Sequence, residues 1–233
     1  MNVNSIIKRF NYKHKINKKY KVSFQDIELE CKVHFVDSDI NNILNLILSN
    51  IKKSIIELDG VAHRIEFHHF YKAKNIHRVF IFVQNSNEVW IKEKSKSHII
   101  YSPKCNIPIL MRKEKKLTPK DTIYNKMFIK TLKSEYIGSF QKNCVDISFW
   151  FKNFLFTMTI AQSNTGWSEF SQVEIEYDGY TFLSKSPNKK VISSLFDDII
   201  TLCLPKSMHN FTTETKLEWL ESNNIIAKKF CHD

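Results

Sequence analysis

The stretch 26-DIELECKVHF-35 sets Glu28, Glu30 and Lys32 at every second position, with Leu29, Cys31 and Val33 between them. Successive side chains on a strand point to opposite faces, so a strand here carries one charged face and one apolar face. A second stretch, 172-QVEIEYDGY-180, repeats the spacing with Glu174 and Glu176 near the other end of the chain. The strands between them carry basic residues in the same way. Trp90, Lys92 and Lys94 alternate with Val89 and Ile91, and Arg112 and Glu114 alternate with Met111 and Lys113. Arg78 opens a strand with Val79, Ile81 and Val83 on the opposite face. Charges of both signs on so many strands fit a closed antiparallel barrel whose outer, apolar face is wrapped by helices and whose lumen is charged. A dry lumen would cost several kcal/mol per ion, so the lumen is expected to hold water or ions.

Outward from these strands the pattern is that of an α+β chain. Runs rich in aromatic and β-branched residues at 64-RIEFHHF-70, 78-RVFIFV-83, 89-VWIKEK-94, 107-IPILMRKEK-115, 145-VDISFWF-151, 154-FLFTMTI-160 and 173-VEIEY-177 give, with the first charged strand, seven or eight antiparallel strands. A helix capped by Asp37 or Ser38 is predicted on Ile40, Ile43, Leu44, Ile47, Leu48, Ile51 and Ile55, with Gly60 marking its end. A second follows the late glutamates, on Val191, Ile192, Leu195, Phe196, Ile199 and Ile200, with Pro205 beyond it, and a last one runs from about Thr213 to Lys228. Residues 1–22, which include 8-KRFNYKHKINKKYK-21, read as a basic arm, and 23–233 as a single domain.

With 233 residues and 42% hydrophobic content the chain can bury a sizeable core, and its net charge of +11 suggests a polyanionic partner. Five cysteines show no CxxC pair and cannot form a complete set of disulfides, which points to reduced thiols in an intracellular setting, nucleus or cytoplasm. There is no apolar run of membrane-spanning length, no GxxxxGK[ST], and no Cys–His pair marked as a nucleophile. His63, Glu66, His68 and His69 do not form HExxH, and His68 and His69 point to opposite faces of a strand. A carboxylate cluster facing basic side chains suits a polyanion bound with a divalent cation, the carboxylates holding the ion and Lys and Arg the phosphates.

On Glu28, Glu30 and Lys32 (ExExK on the first strand) and Glu174 and Glu176 on a late strand, the chain resembles the triphosphate tunnel metalloenzymes, which include the CYTH phosphatases and the fungal, protozoan and viral RNA 5′-triphosphatases. The stretch 91-IKEKSKSHIIYSPKCNIPILMRKEKKLTP-119 looks more like the RNA triphosphatase branch, and 130-KTLKSEY-136 is similar to a basic strand of that branch. The resemblance implies an eight-stranded tunnel, Mg²⁺ or Mn²⁺ held by Glu28, Glu30, Glu174 and Glu176, and phosphate contacts from Lys32, Arg78, Lys92, Lys94, Arg112, Lys130 and Lys133. Lys130 and Lys133, three apart, cannot both face inward on a regular strand. One departure stands out: 155-LFTMTIAQS-163 has no acid where the family's strand before the late glutamates carries one. The implied activity is removal of the γ-phosphate from triphosphate-ended RNA in cap formation, with other capping enzymes as partners. The alternatives are a CYTH-type hydrolase of tripolyphosphate or small organic triphosphates, and a noncatalytic RNA-binding barrel.

Overall fold

A computed structural model describes residues 20–21, 27–35, 40–86, 89–181 and 188–230. The basic arm and the Asp37 or Ser38 cap therefore lie outside the described residues, apart from Tyr20 and Lys21. In chain order the elements are β1 (Tyr20–Lys21), β2 (Ile27–His34), α1 (Ile40–Lys52), β3 (Glu57–Ala73), β4 (Ile76–Val83), β5 (Val89–Ser95), β6 (His98–Tyr101), β7 (Pro108–Leu117), α2 (Tyr124–Leu132), β8 (Glu135–Phe151), β9 (Phe154–Asn164), β10 (Glu169–Thr181), α3 (Lys189–Cys203), a 3-10 turn (Lys206–Met208) and α4 (Lys216–Phe230).

Eight of the strands close on themselves in the antiparallel order β10–β2–β7–β5–β4–β3–β8–β9, with β9 returning to β10. β1 and β6 lie outside the ring, on β10 and β7. Closure removes the unpaired edges that an open sheet of this size would present. Local geometry assists it. Lys152 and Asn153, both with positive φ, make the two-residue turn between Phe151 and Phe154 whose twist matches a hairpin.

The main apolar core lies outside the ring. Leu29, Cys31 and Val33 of β2 join Ile147 and Phe149 of β8, Met158 and Ile160 of β9, and Val173 and Ile175 of β10 against Ile43, Leu44, Ile47 and Leu48 of α1 and Ile192, Phe196, Ile199 and Ile200 of α3. The alternation in 26-DIELECKVHF-35 thus has its cause. The apolar half is covered by helices, which leaves the charged half to face the bore.

Three expectations need correction. Gly60 does not end α1, which stops at Lys52; it lies inside β3 beside a bulge at Leu58/Gly60. The stretch 130-KTLKSEY-136 is not one strand. Residues 124–132 are helical because Tyr124, Met127 and Thr131 recur at helical spacing, and Tyr124 and Met127 pack toward Phe80, Ile91 and Leu117 on the outer wall. The last helix starts at Lys216, not Thr213. Thr215 caps it: its hydroxyl accepts from the Glu218 amide at 3.2 Å, while the Glu218 carboxylate accepts from the Thr215 amide at 2.7 Å.

Candidate active site

The bore encloses a cavity of about 460 Å³, within the usual range for small-molecule sites. Among the described residues eight carboxylates line it: Glu28 and Glu30 from β2, Glu66 from β3, Glu114 from β7, Asp146 from β8, and Glu174, Glu176 and Asp178 from β10. Eight cationic side chains face them: Lys32, Arg64, Lys92, Lys94, Arg112, Lys116, Lys142 and Lys216. The bore is therefore balanced rather than predominantly positive, and the chain's net charge of +11 lies elsewhere.

All four predicted glutamates, with Lys32, Lys92, Lys94 and Arg112, meet in this cavity. β2 and β10 are direct neighbours, and their register sets Glu174 opposite Lys32 and Glu176 opposite Glu30. Arg78, Lys130 and Lys133 are elsewhere. Arg78 is buried on the outer side of β4, where its Nε donates to Glu93 at 2.8 Å and a terminal nitrogen donates to Ser134 at 3.0 Å. His77, Val79 and Ile81 take the inner face of that strand. The reversal is possible because Ser134, just beyond α2, and Glu93 give the guanidinium partners outside. Lys130 belongs to α2 and Lys133 follows it, and both are exposed.

Sequence reading missed Arg64, Glu66, Lys116, Lys142, Asp146, Asp178 and Lys216. Most were available to it. Lys142, Cys144 and Asp146 alternate as plainly as the glutamates do, and so do Arg64, Glu66 and His68. Lys216 is different, since it reaches the bore from the first turn of a helix. α4 packs Trp219 and Leu220 on Phe70, Phe140 and Phe170 at the end of the bore where β10 begins and β3 ends, and brings Thr215, Lys216 and Leu217 to the cavity.

The ions are arranged in two unlike groups. Glu174 alone faces three lysines: Lys142 at 3.3 Å, Lys32 at 3.9 Å and Lys216 in contact. Burial pushes its proton affinity up, but Lys216, Lys142 and Lys32 together hold it well below the carboxylate range. Lys216, by contrast, is brought down to about 7 by burial and by repulsion from Lys142 and Lys32, against the pull of Glu174. Lys32 also lies 3.4 Å from Glu30, so two carboxylates meet three lysines there and basic groups are in excess.

The second group has the opposite excess. Arg112 grips Glu28 through its Nε and Glu30 through a terminal nitrogen at 3.2 Å, and Lys94 lies 3.0 Å from Glu28. Burial raises Glu28, but Arg112, Lys94 and Lys92 outweigh it and keep the group ionised. Glu30 is raised by burial and by Glu28 and Glu174, despite Lys32. Glu176 is raised well above the usual range by burial, Glu28, Asp178 and Glu114, with only partial relief from Lys92. Asp178, accepting from the Thr157 hydroxyl at 2.6 Å, is pushed up to about 6 by burial and Asp146.

This second group suits a hard divalent cation. Its donors are carboxylate oxygens, and Glu30 and Glu176 oppose each other directly across two strands, an arrangement that is unfavourable between like charges and that a cation relieves. Among the described residues no three Asp, Glu, His or Cys side chains form a ready cage; Glu28 and Glu174 are turned to the basic groups instead.

The barrel and its helices agree with solved structures. The Mimivirus capping enzyme triphosphatase superposes with a TM-score of 0.51 over 87% of this chain and 96% of its own, at 11% identity. HpAC1 from Hippeastrum, which has a dominant triphosphatase activity, gives 0.52 over 84% and 96%, at 12% identity. The fold is that of the triphosphate tunnel. No family model matches the sequence and no curated protein matches it. Among the described residues of the tunnel protein no helix is long and apolar enough to cross a membrane.

One tunnel side chain gives a prediction for stability. His68 donates its Nε2 proton to the Glu66 carboxylate at 2.8 Å, and its pKa is lowered to about 4 by burial, with Lys142 and Lys216 adding to the effect and Glu66 opposing it. The unfolded chain protonates this imidazole near 6.5, so below that pH the unfolded state binds the extra proton. Stability attributable to His68 is full above about 6.5 and is lost as pH falls toward about 4, by up to about 3 kcal/mol. Urea unfolding of the wild type and His68→Gln at pH 7 and pH 4.5 checks this. The wild type should lose more, and equal losses would contradict the assignment.

Proposed function

We propose that the protein is a divalent-metal-dependent triphosphate phosphohydrolase that removes the γ-phosphate of triphosphate-ended RNA, as in mRNA capping. The observation that carries this reading is the pair of opposed ionic groups in one closed bore: three lysines around Glu174, and carboxylates in excess around Glu30 and Glu176. A metal-bound triphosphate satisfies both at once. Supporting it, the chain shares its fold with a capping enzyme triphosphatase and with the Hippeastrum protein of dominant triphosphatase activity.

Glu30 and Glu176 would hold Mg²⁺ or Mn²⁺, and Glu28 and Glu174 would join them once released from Arg112 and the lysines. When bound, the ion neutralises charge on the phosphate oxygens and acts as a Lewis acid toward the γ-phosphate. The remaining work belongs to the chain's own side chains. Lys32, Lys142 and Lys216 replace water around the phosphates, and Arg112, Lys92 and Lys94 act from further round the wall, so the charge on the departing phosphoryl group meets preplaced donors. Burial keeps those donors in place. A carboxylate released from its lysine when phosphate arrives becomes a free acceptor able to orient a water.

Phosphate release tests the reading. Incubated with γ-labelled triphosphate RNA, tripolyphosphate or ATP, the protein should release orthophosphate only with Mg²⁺ or Mn²⁺ present. Release from tripolyphosphate and ATP without RNA would transfer the proposal to a CYTH-type hydrolase of small triphosphates. No release from any of the three would leave a noncatalytic binding barrel.

A further inference from the structure

The tunnel wall is not charged all the way round. β4 lies diametrically across the ring from β10, and its inner face is His77, Val79 and Ile81. Ile81 is paired with Trp90 on β5, which also faces the cavity and is only half buried. Trp90 stands at the rim where β5 begins and β7 ends, the end of the bore opposite to the one covered by α4. Two cations lie at its ring: Lys116 Nζ at 3.6 Å from the centroid and the Arg64 guanidinium at 5.5 Å.

Lys116 is held in an unusual way for this bore. The register sets it directly opposite Lys92, a like-charge pair. Lys92 takes Glu114 at 2.7 Å. Among the described residues Lys116 makes no ion pair, and burial with repulsion from Lys92 and Arg64 lowers its proton affinity. Its partner is the indole face. A cation on an aromatic ring near solvent is held by roughly 0.5–1 kcal/mol, less than a charge-assisted hydrogen bond to phosphate contributes.

An inorganic triphosphate has no use for an apolar wall ending in an indole at the open rim, whereas a nucleoside does. We propose that Trp90 is the platform on which the first base of a nucleoside or RNA triphosphate stacks, and that Lys116 leaves the ring for the phosphate chain as the base arrives. The proposal rests on the triphosphate reading above and deepens it, by naming the part of the substrate that lies beyond the phosphates. Every base has a π-face, so the platform would be tolerant of base identity.

Equilibrium binding separates this from the reading beneath it. The full chain, as wild type, Trp90→Ala and Trp90→Phe, would be titrated calorimetrically with Mg²⁺ present against an imido analogue of inorganic tripolyphosphate and against a β,γ-imido nucleoside triphosphate, neither of which is turned over. Stacking of this kind is worth about tenfold or more in affinity. Trp90→Ala is expected to weaken the nucleotide at least about fivefold more than it weakens the tripolyphosphate analogue, with Trp90→Phe recovering most of the loss. Equal losses for the two ligands, or a phenylalanine variant no better than alanine, would overturn the platform while leaving the triphosphate reading standing. If the wild type binds neither ligand, the triphosphate reading fails and the platform with it.

Discussion

Replacing Glu176 with glutamine is expected to lower phosphate release by roughly a hundredfold to a thousandfold while leaving the melting temperature level or slightly higher. The reason is the position of the carboxyl group. Glu176 faces Glu30 across β10 and β2, and burial with repulsion from Glu28, Asp178 and Glu114 already favours its protonated form. Glutamine is the neutral analogue of that form, so the fold loses little. A bound cation, however, needs the charged oxygen. Glu174, two residues earlier, should behave differently. It offsets Lys32 and Lys142 and favours the charged form of Lys216, which already sits at about 7, so Glu174→Gln leaves the buried Lys32 and Lys142 short of a counterion, at a cost of about 3–5 kcal/mol. Loss of turnover there will come with loss of stability. Phosphate release and thermal melting on the two variants decide the matter: Glu176→Gln with wild-type turnover would remove this residue from the metal site.

Those glutamates were legible because a strand has a period of two. Once Glu28, Glu30 and Lys32 alternate with Leu29, Cys31 and Val33, the inner face is fixed wherever the apolar face is covered, and one helix pattern follows each of the two charged strands to cover it. The same rule could have found Lys142 and Asp146. It failed at Arg78, where alternation identifies two faces but not which is inside. Val79 and Ile81 look like the helix-covered side, yet they line the bore and join the apolar cluster that includes Trp219 and Leu220 of α4, and Arg78 finds Glu93 and Ser134 outside. Lys130 and Lys133 were placed by resemblance, against a helical spacing of Tyr124, Met127 and Thr131 that the residues themselves display. Lys216 was beyond strand logic altogether, because a helix brings it to the bore. The charge balance was hidden for a related reason. A net charge of +11 describes the whole chain, while the bore draws on selected faces, and those carry equal numbers of acids and bases.

Arg112→Met should be among the most destabilising single changes in the bore, and its defect should be partly repaired by magnesium. The guanidinium is buried against Glu28 and Glu30 on the neighbouring strand. Without it both carboxylates lose their shared counterion, at a cost of about 3–5 kcal/mol. In the wild type a divalent cation must compete with Arg112 for those oxygens; in the variant it meets no such rival. Ligand-linked stabilisation grows as the logarithm of concentration over Kd, reaching about 2.7 kcal/mol at a hundredfold excess. The rise in melting temperature between zero and saturating Mg²⁺ should therefore be larger in Arg112→Met than in the wild type. Arg78→Met supplies the comparison. It also removes a buried arginine, but one paired with Glu93 outside the tunnel, so its stability should fall with no gain in magnesium response. Equal magnesium increments in all three proteins would mean that Glu28 and Glu30 do not hold the ion, and the acidic group of the bore would then be a set of internal counterions for the lysines and arginines around it.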